Sequence, residues 1–94
     1  MKITVKARKV QNPVNSVIGY ASVTFEDFIK DEPFVFVIRN IQIIKNKDGV
    51  LFLGFPTRRD SKAESGYSNI AFPATKESRD YMTKLILEAY ESAE

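Results

Sequence analysis

Neither cysteine nor histidine occurs in these 94 residues, and glycine and proline appear only four times each. The missing cysteine excludes disulfides and thiolate metal ligands, and the missing histidine removes the nitrogen ligand of a conventional zinc site. Serine-histidine and cysteine-histidine nucleophile pairs are excluded too, because both need an imidazole that titrates near neutrality. Asp, Glu, Lys and Tyr remain as acids or bases, yet no carboxylate pair, metal cluster or phosphate-cradling glycine loop is legible. The chain is expected to be no enzyme, with no cofactor and no metal. Long apolar runs are also lacking. Nowhere do about 18 apolar residues stand together, and Met1-Lys2-Ile3-Thr4-Val5-Lys6 alternates charge with apolarity, unlike a signal segment. A cytoplasmic protein without membrane contact is expected.

What is present suits one small domain over residues 1–94, since so short a chain closes a single core. At 44% hydrophobic residues, with seven phenylalanines and four tyrosines, it can fold but lies near the lower size limit of independent stability. Association with a second copy would help. The formal net charge of +2 is too small to imply a nucleic-acid partner by itself. Its distribution says more. Lys2, Lys6, Arg8 and Lys9 open the chain with no acid before Gln11, whereas Asp80, Glu88, Glu91 and Glu94 outnumber Lys84 at the far end.

Ile3, Val5 and Ala7 alternate with Lys2, Thr4, Lys6 and Arg8, which predicts a strand with one buried and one basic face. A turn at Gln11 to Asn15 leads to a second strand, Val17 to Phe25, and the two are expected to form a hairpin. Glu26 to Pro33 reads as an acidic connector ended by proline. Phe34 to Ile44 is β-branched and aromatic enough for a long central strand, with a bulge expected near Asn40. Asn46-Lys47-Asp48-Gly49 supplies the positive φ angles of a tight turn, and Val50 to Phe55 returns as the next strand. Pro56 to Gly66 is read as an exposed polar loop, followed by a short extended stretch, Tyr67 to Phe72. From Thr75 onward Tyr81, Met82, Leu85, Ile86, Ala89 and Tyr90 recur at helical spacing. The fold class is α+β: an antiparallel sheet of four to five strands with one C-terminal helix packed on it.

Several of these segments, in this order, resemble the SpoVG (stage V sporulation protein G, septation protein) family. They are Ile3-Thr4 with Arg8-Lys9, Ala21 to Phe25, Phe36 to Ile44, Gly49 to Arg59, Ile70 to Pro73, and Ser78-Arg79. Gly49-x-x-Phe52-x-x-x-Pro56-Thr57-Arg58-Arg59 is the most specific, since turn, strand and basic residues fall in one register. The resemblance implies a homodimer built through strand pairing, binding to DNA or RNA, and a regulatory role in septation, sporulation or gene expression. The chain departs from the family in a longer Glu26 to Phe34 connector. Gln42 and Ser68 stand where cations are common, and Phe72 where histidine is typical. Each of these three substitutions removes a polar or cationic group, and a missing phosphate contact weakens binding and flattens its salt dependence.

The candidate nucleic-acid residues are Arg58, Arg59, Lys62, Lys6, Arg8, Tyr67 and Arg79. Arg58-Arg59 with Lys62 can reach phosphate oxygens or a guanine edge, or can form a solvated loop partly neutralised by Asp60. Lys2, Lys6 and Arg8 share the strand face whose positions repeat every ~6.8 Å, a spacing suited to tracking phosphates, and cations there serve equally to guard an edge strand against aggregation. Arg79 opposes the helix dipole at the start of the helix, so it either contacts nucleic acid, pairs with Glu77 or Asp80, or docks on the sheet. Tyr67 is the tyrosine best placed to stack on a base. A contrasting reading is a protein-interaction module whose acidic Glu26 to Glu32 segment and apolar edge recruit a division-protein partner.

Overall fold

The computed structural model describes residues 1–93. Its main sheet is antiparallel in the order β1 (Lys2–Lys9), β2 (Val17–Ile29), β3 (Glu32–Lys45) and β4 (Leu51–Gly54). A second, two-stranded sheet pairs β5 (Thr57–Arg59) with β6 (Tyr67–Asn69), and the helix α1 (Lys76–Ser92) closes the chain. The α+β architecture expected from the periodicities is the one observed.

Strand alternation sorts the main sheet into two faces. One carries Ile3, Val5, Ala7, Ala21, Val23, Ile41, Ile43 and Leu53, and α1 packs on its β1 and β2 side. The buried hydrophobic side chains among the described residues are Ala21, Val23, Ile41, Ile43, Met82 and Ile86. The helix begins at Thr75, whose Oγ1 accepts the Ser78 N–H at 3.1 Å, and Met82 and Ile86 are the side chains it buries. Its far end fits against β2 because Gly19 has no side chain. A Cβ there would stand 2.8 Å from the Arg8 carbonyl oxygen and 2.9 Å from the Tyr90 ring. Tyr81, expected in the helix's apolar stripe, is instead 53% exposed.

The bulge expected near Asn40 is present and has a packing reason. Ala21 faces Ile41 and Val23 faces Ile38, so Arg39 and Asn40 together oppose Ser22. The extra residue allows Ile38 and Ile41, three apart in sequence, to serve the same core face. Asn40 takes the left-handed geometry this needs, with φ of 61°. The Asn46 to Gly49 turn also forms as expected: Asn46 Oδ1 accepts the Asp48 and Val50 N–H groups at 2.9 Å, and Gly49 has φ of 80°.

Two further expectations are corrected. Glu26 to Pro33 is not a connector, because β2 and β3 continue through it as a paired ribbon to a tight turn at Lys30 (φ 51°) and Asp31 (φ 66°). Lys-Asp lacks the glycine that normally signals such a turn, so only tertiary pairing reveals it. Pro33 is accommodated opposite Phe28 because this part of β3 has no strand on its outer side; β4 pairs only with Gln42 to Lys45. The ribbon leaves Phe28, Ile29, Phe34, Val35, Phe36 and Val37 exposed. The Cα radius of gyration, 14.8 Å, exceeds the ~12.4 Å of a compact chain this long, as a projecting arm requires. The second correction concerns Pro56 to Gly66. Its first part is β5, so Arg58 and Arg59 stand on a strand and not on a free loop.

Candidate nucleic-acid interface

The β5–β6 hairpin is held from within by Asp60. Its backbone N–H donates to the Gly66 carbonyl at 2.9 Å, its Oδ1 accepts the Lys62 N–H at 3.0 Å, and its Oδ2 accepts the Ser68 hydroxyl. The Ser68 hydroxyl first, then the Lys62 N–H, lowers the Asp60 pKa below the usual carboxylate value. Gly66, at φ of 82°, closes the loop where a side chain would be strained. Asp60 therefore serves the loop and forms no ion pair with Arg58 or Arg59. Among the described residues no carboxylate lies within ion-pair distance of Arg58, Arg59 or Lys62, and all three are exposed.

Register separates the two arginines. Arg59 faces Tyr67 and Thr57 faces Asn69 on one side of the ribbon, whereas Arg58 faces Ser68 on the other, the side of Asp60. They form no single clamp. The Arg59 side combines a guanidinium with Tyr67, a ring 52% exposed, so charge and a stacking surface stand together there.

Arg79 approaches the same hairpin. With Thr57, Asn69, Phe72 and Pro73 it lines a hollow of about 400 Å³ between the hairpin and α1. Of the alternatives for Arg79, the pairing with Glu77 or Asp80 does not occur; Asp80 bonds Lys76 at 2.9 Å instead.

Lys6 and Arg8 lie elsewhere, on the sheet face opposite the helix. Lys2, the third cation of that row, is taken by Glu26 at 4.0 Å, while Lys6 and Arg8 meet no carboxylate among the described residues. The Arg8 guanidinium lies 4.9 Å from the centre of the Tyr20 ring across the strand pair. The candidate residues thus fall into two groups, Arg58, Arg59, Lys62, Tyr67 and Arg79 about the hairpin, and Lys6 and Arg8 on the open face. Sequence reasoning overlooked Arg39. The bulge at Asn40 brings it to the open-face hollow that Lys6, Arg8 and Tyr20 also line, and a cation beside a bulge was the available signal.

The chain matches the SpoVG family over residues 1–92. It belongs to that family. Three relatives are each provisionally named septation protein SpoVG. The one from Treponema denticola is 42% identical over 92 residues, covering 97% of this chain and 87% of its own. That from Lachnospira eligens is 36% identical over 95 residues, covering 100% and 96%. That from Caldicellulosiruptor bescii is 33% identical over 93 residues, covering 98% and 93%. No solved structure matches at a significant level. The SpoVG match takes in both groups of cations. Among the described residues no helix is long and apolar enough to cross a membrane.

Proposed function

We propose that this SpoVG-family chain is a homodimeric DNA- or RNA-binding regulator acting in septation, the process for which its relatives are named. The observation that carries the reading is the β5–β6 hairpin, which exposes Arg58, Arg59 and Lys62 while Asp60 is engaged by Ser68 and by Lys62's own backbone, and Glu64, in the loop, pairs with none of the three among the described residues. Unpaired guanidiniums beside an exposed tyrosine suit phosphate contact with base stacking. Pairing of two copies fits the outer edge of β3 from Glu32 to Val37. That edge is long and apolar, whereas β4 has four residues and the β1 edge is lysine-rich. Two-fold pairing doubles the basic footprint.

The test is anisotropy titration of labelled DNA and RNA with an Arg58→Ala/Arg59→Ala variant, alongside sedimentation of the wild type. Weaker binding by a folded variant is the expected result, and unaltered binding removes the hairpin from the interface. A second reading, a protein-interaction module, draws on the arm tip, where Phe28 (71% exposed) and Ile29 (55%) sit among Asp27, Asp31 and Glu32. Phe28→Ser/Ile29→Ser should then abolish recruitment to the division site in cells while leaving oligonucleotide binding unchanged.

A further inference from the structure

The two groups of cations are joined by a continuous surface. Lys6, Arg8, Tyr20, Ser22, Arg39 and Asn40 border a hollow of about 400 Å³ on the open face of the sheet. A second hollow of about 350 Å³ begins at the same Arg39 and Asn40, passes Gln42 and Gly54, and ends at Pro56 and Thr57, where β5 starts. Arg39 and Asn40 are thus the shared wall of both, and no acidic residue lines either one. The path runs across the strands from β1 to β4, ~14 Å at the ordinary strand spacing, before it meets the strand bearing Arg58 and Arg59.

From this the geometry points to a binding track for a single nucleic-acid strand, crossing the open face from Lys6 and Arg8 to the β5–β6 hairpin with Arg39 as its central phosphate contact. It rests on the nucleic-acid reading above and specifies the strand state and the path. The Arg8 guanidinium over the Tyr20 ring offers a base a cation backed by an aromatic surface, a platform that unstacked bases use and paired ones cannot reach. Asn40 and Gln42 supply amides for the edges of splayed bases along the way. A duplex presents stacked, paired bases inside a convex phosphate cylinder, which fits a protruding hairpin better than shallow hollows on a sheet.

The test is Arg39→Ala in the full chain, titrated by anisotropy against a labelled single strand and the matching duplex over a salt series. Arg39 is exposed and, among the described residues, pairs with no carboxylate, so the variant should keep the wild-type circular dichroism, and Arg39→Lys should recover most of the binding. The expected result is about tenfold weaker single-strand binding and a log K against log salt slope shallower by about 0.7, the value of one phosphate contact. Duplex binding should fall less. If Arg39→Ala leaves affinity and slope unchanged while Arg58→Ala/Arg59→Ala weakens both, the track is wrong and the nucleic-acid reading stands. Wild type that prefers the duplex, with Arg39→Ala affecting both forms alike, overturns the single-strand assignment. Wild type that binds neither form at low salt overturns both proposals.

Discussion

Asp60 shows how one side chain decides whether its neighbours are available. A carboxylate between Arg59 and Lys62 reads as a neutralising charge, yet its oxygens are taken up by Ser68 and the Lys62 backbone. Because its folded pKa lies below the ordinary 3.8, the ionised form stabilises the hairpin above that value, and this contribution fades as pH falls through the folded value. Protection of the Lys62 and Tyr67 amides against exchange, relative to an unfolded chain at the same pH, should therefore fall on acidification below pH 3.8. In Asp60→Asn the same amides should exchange faster already at neutral pH and lose that acid dependence. Asn40 makes a second prediction at this scale. At φ of 61° a β-branched side chain is strained, so Asn40→Val should cost about 1–2 kcal/mol in urea unfolding. Asn40→Gly should be close to neutral.

Among the elements, the helix depends on a single missing side chain. Gly19→Ala places a methyl against the Arg8 carbonyl and the Tyr90 ring; the ring can swing aside but the backbone cannot, so a loss of about 1–3 kcal/mol in thermal or urea unfolding is expected. Most elements were legible in the sequence because their signals are local. The β1 alternation, the Asn46 to Gly49 turn and the α1 periodicity each arise within a few residues. Those missed lack a local turn or strand signature. The arm needs Glu26 to Ile29 to find Glu32 to Val35, and its Lys30-Asp31 turn carries no glycine. The β5–β6 pairing needs Thr57 to find Asn69 across a loop whose geometry is set by Asp60 and Gly66. For the candidate site, residue type singled out Arg58, Arg59, Lys6 and Arg8, but which of them share a surface, and the position of Arg39 between them, required the bulge to be placed in three dimensions.

For the molecule as a whole, the proposed two-fold pairing and the proposed binding are linked by charge. A Lys on the β3 edge, as in Val35→Lys, should shift sedimentation from dimer to monomer, because edge cations oppose strand addition. A monomer offers one hairpin where the dimer offers two. Oligonucleotide binding by Val35→Lys should then show about half the wild-type salt slope with each hairpin unchanged. An unchanged slope in a demonstrably monomeric variant separates assembly from binding.

The arm ties these scales to something measurable in the intact protein. Strand β3 is sheltered at its Ile41 to Ile43 end and bare from Glu32 to Val37, so its two halves should release their amide protons on very different clocks. The sheltered half reports the opening of the whole fold. The bare half answers to whatever lies alongside it, and deuterium uptake there, followed as the sample is diluted, becomes a gauge of company kept in solution.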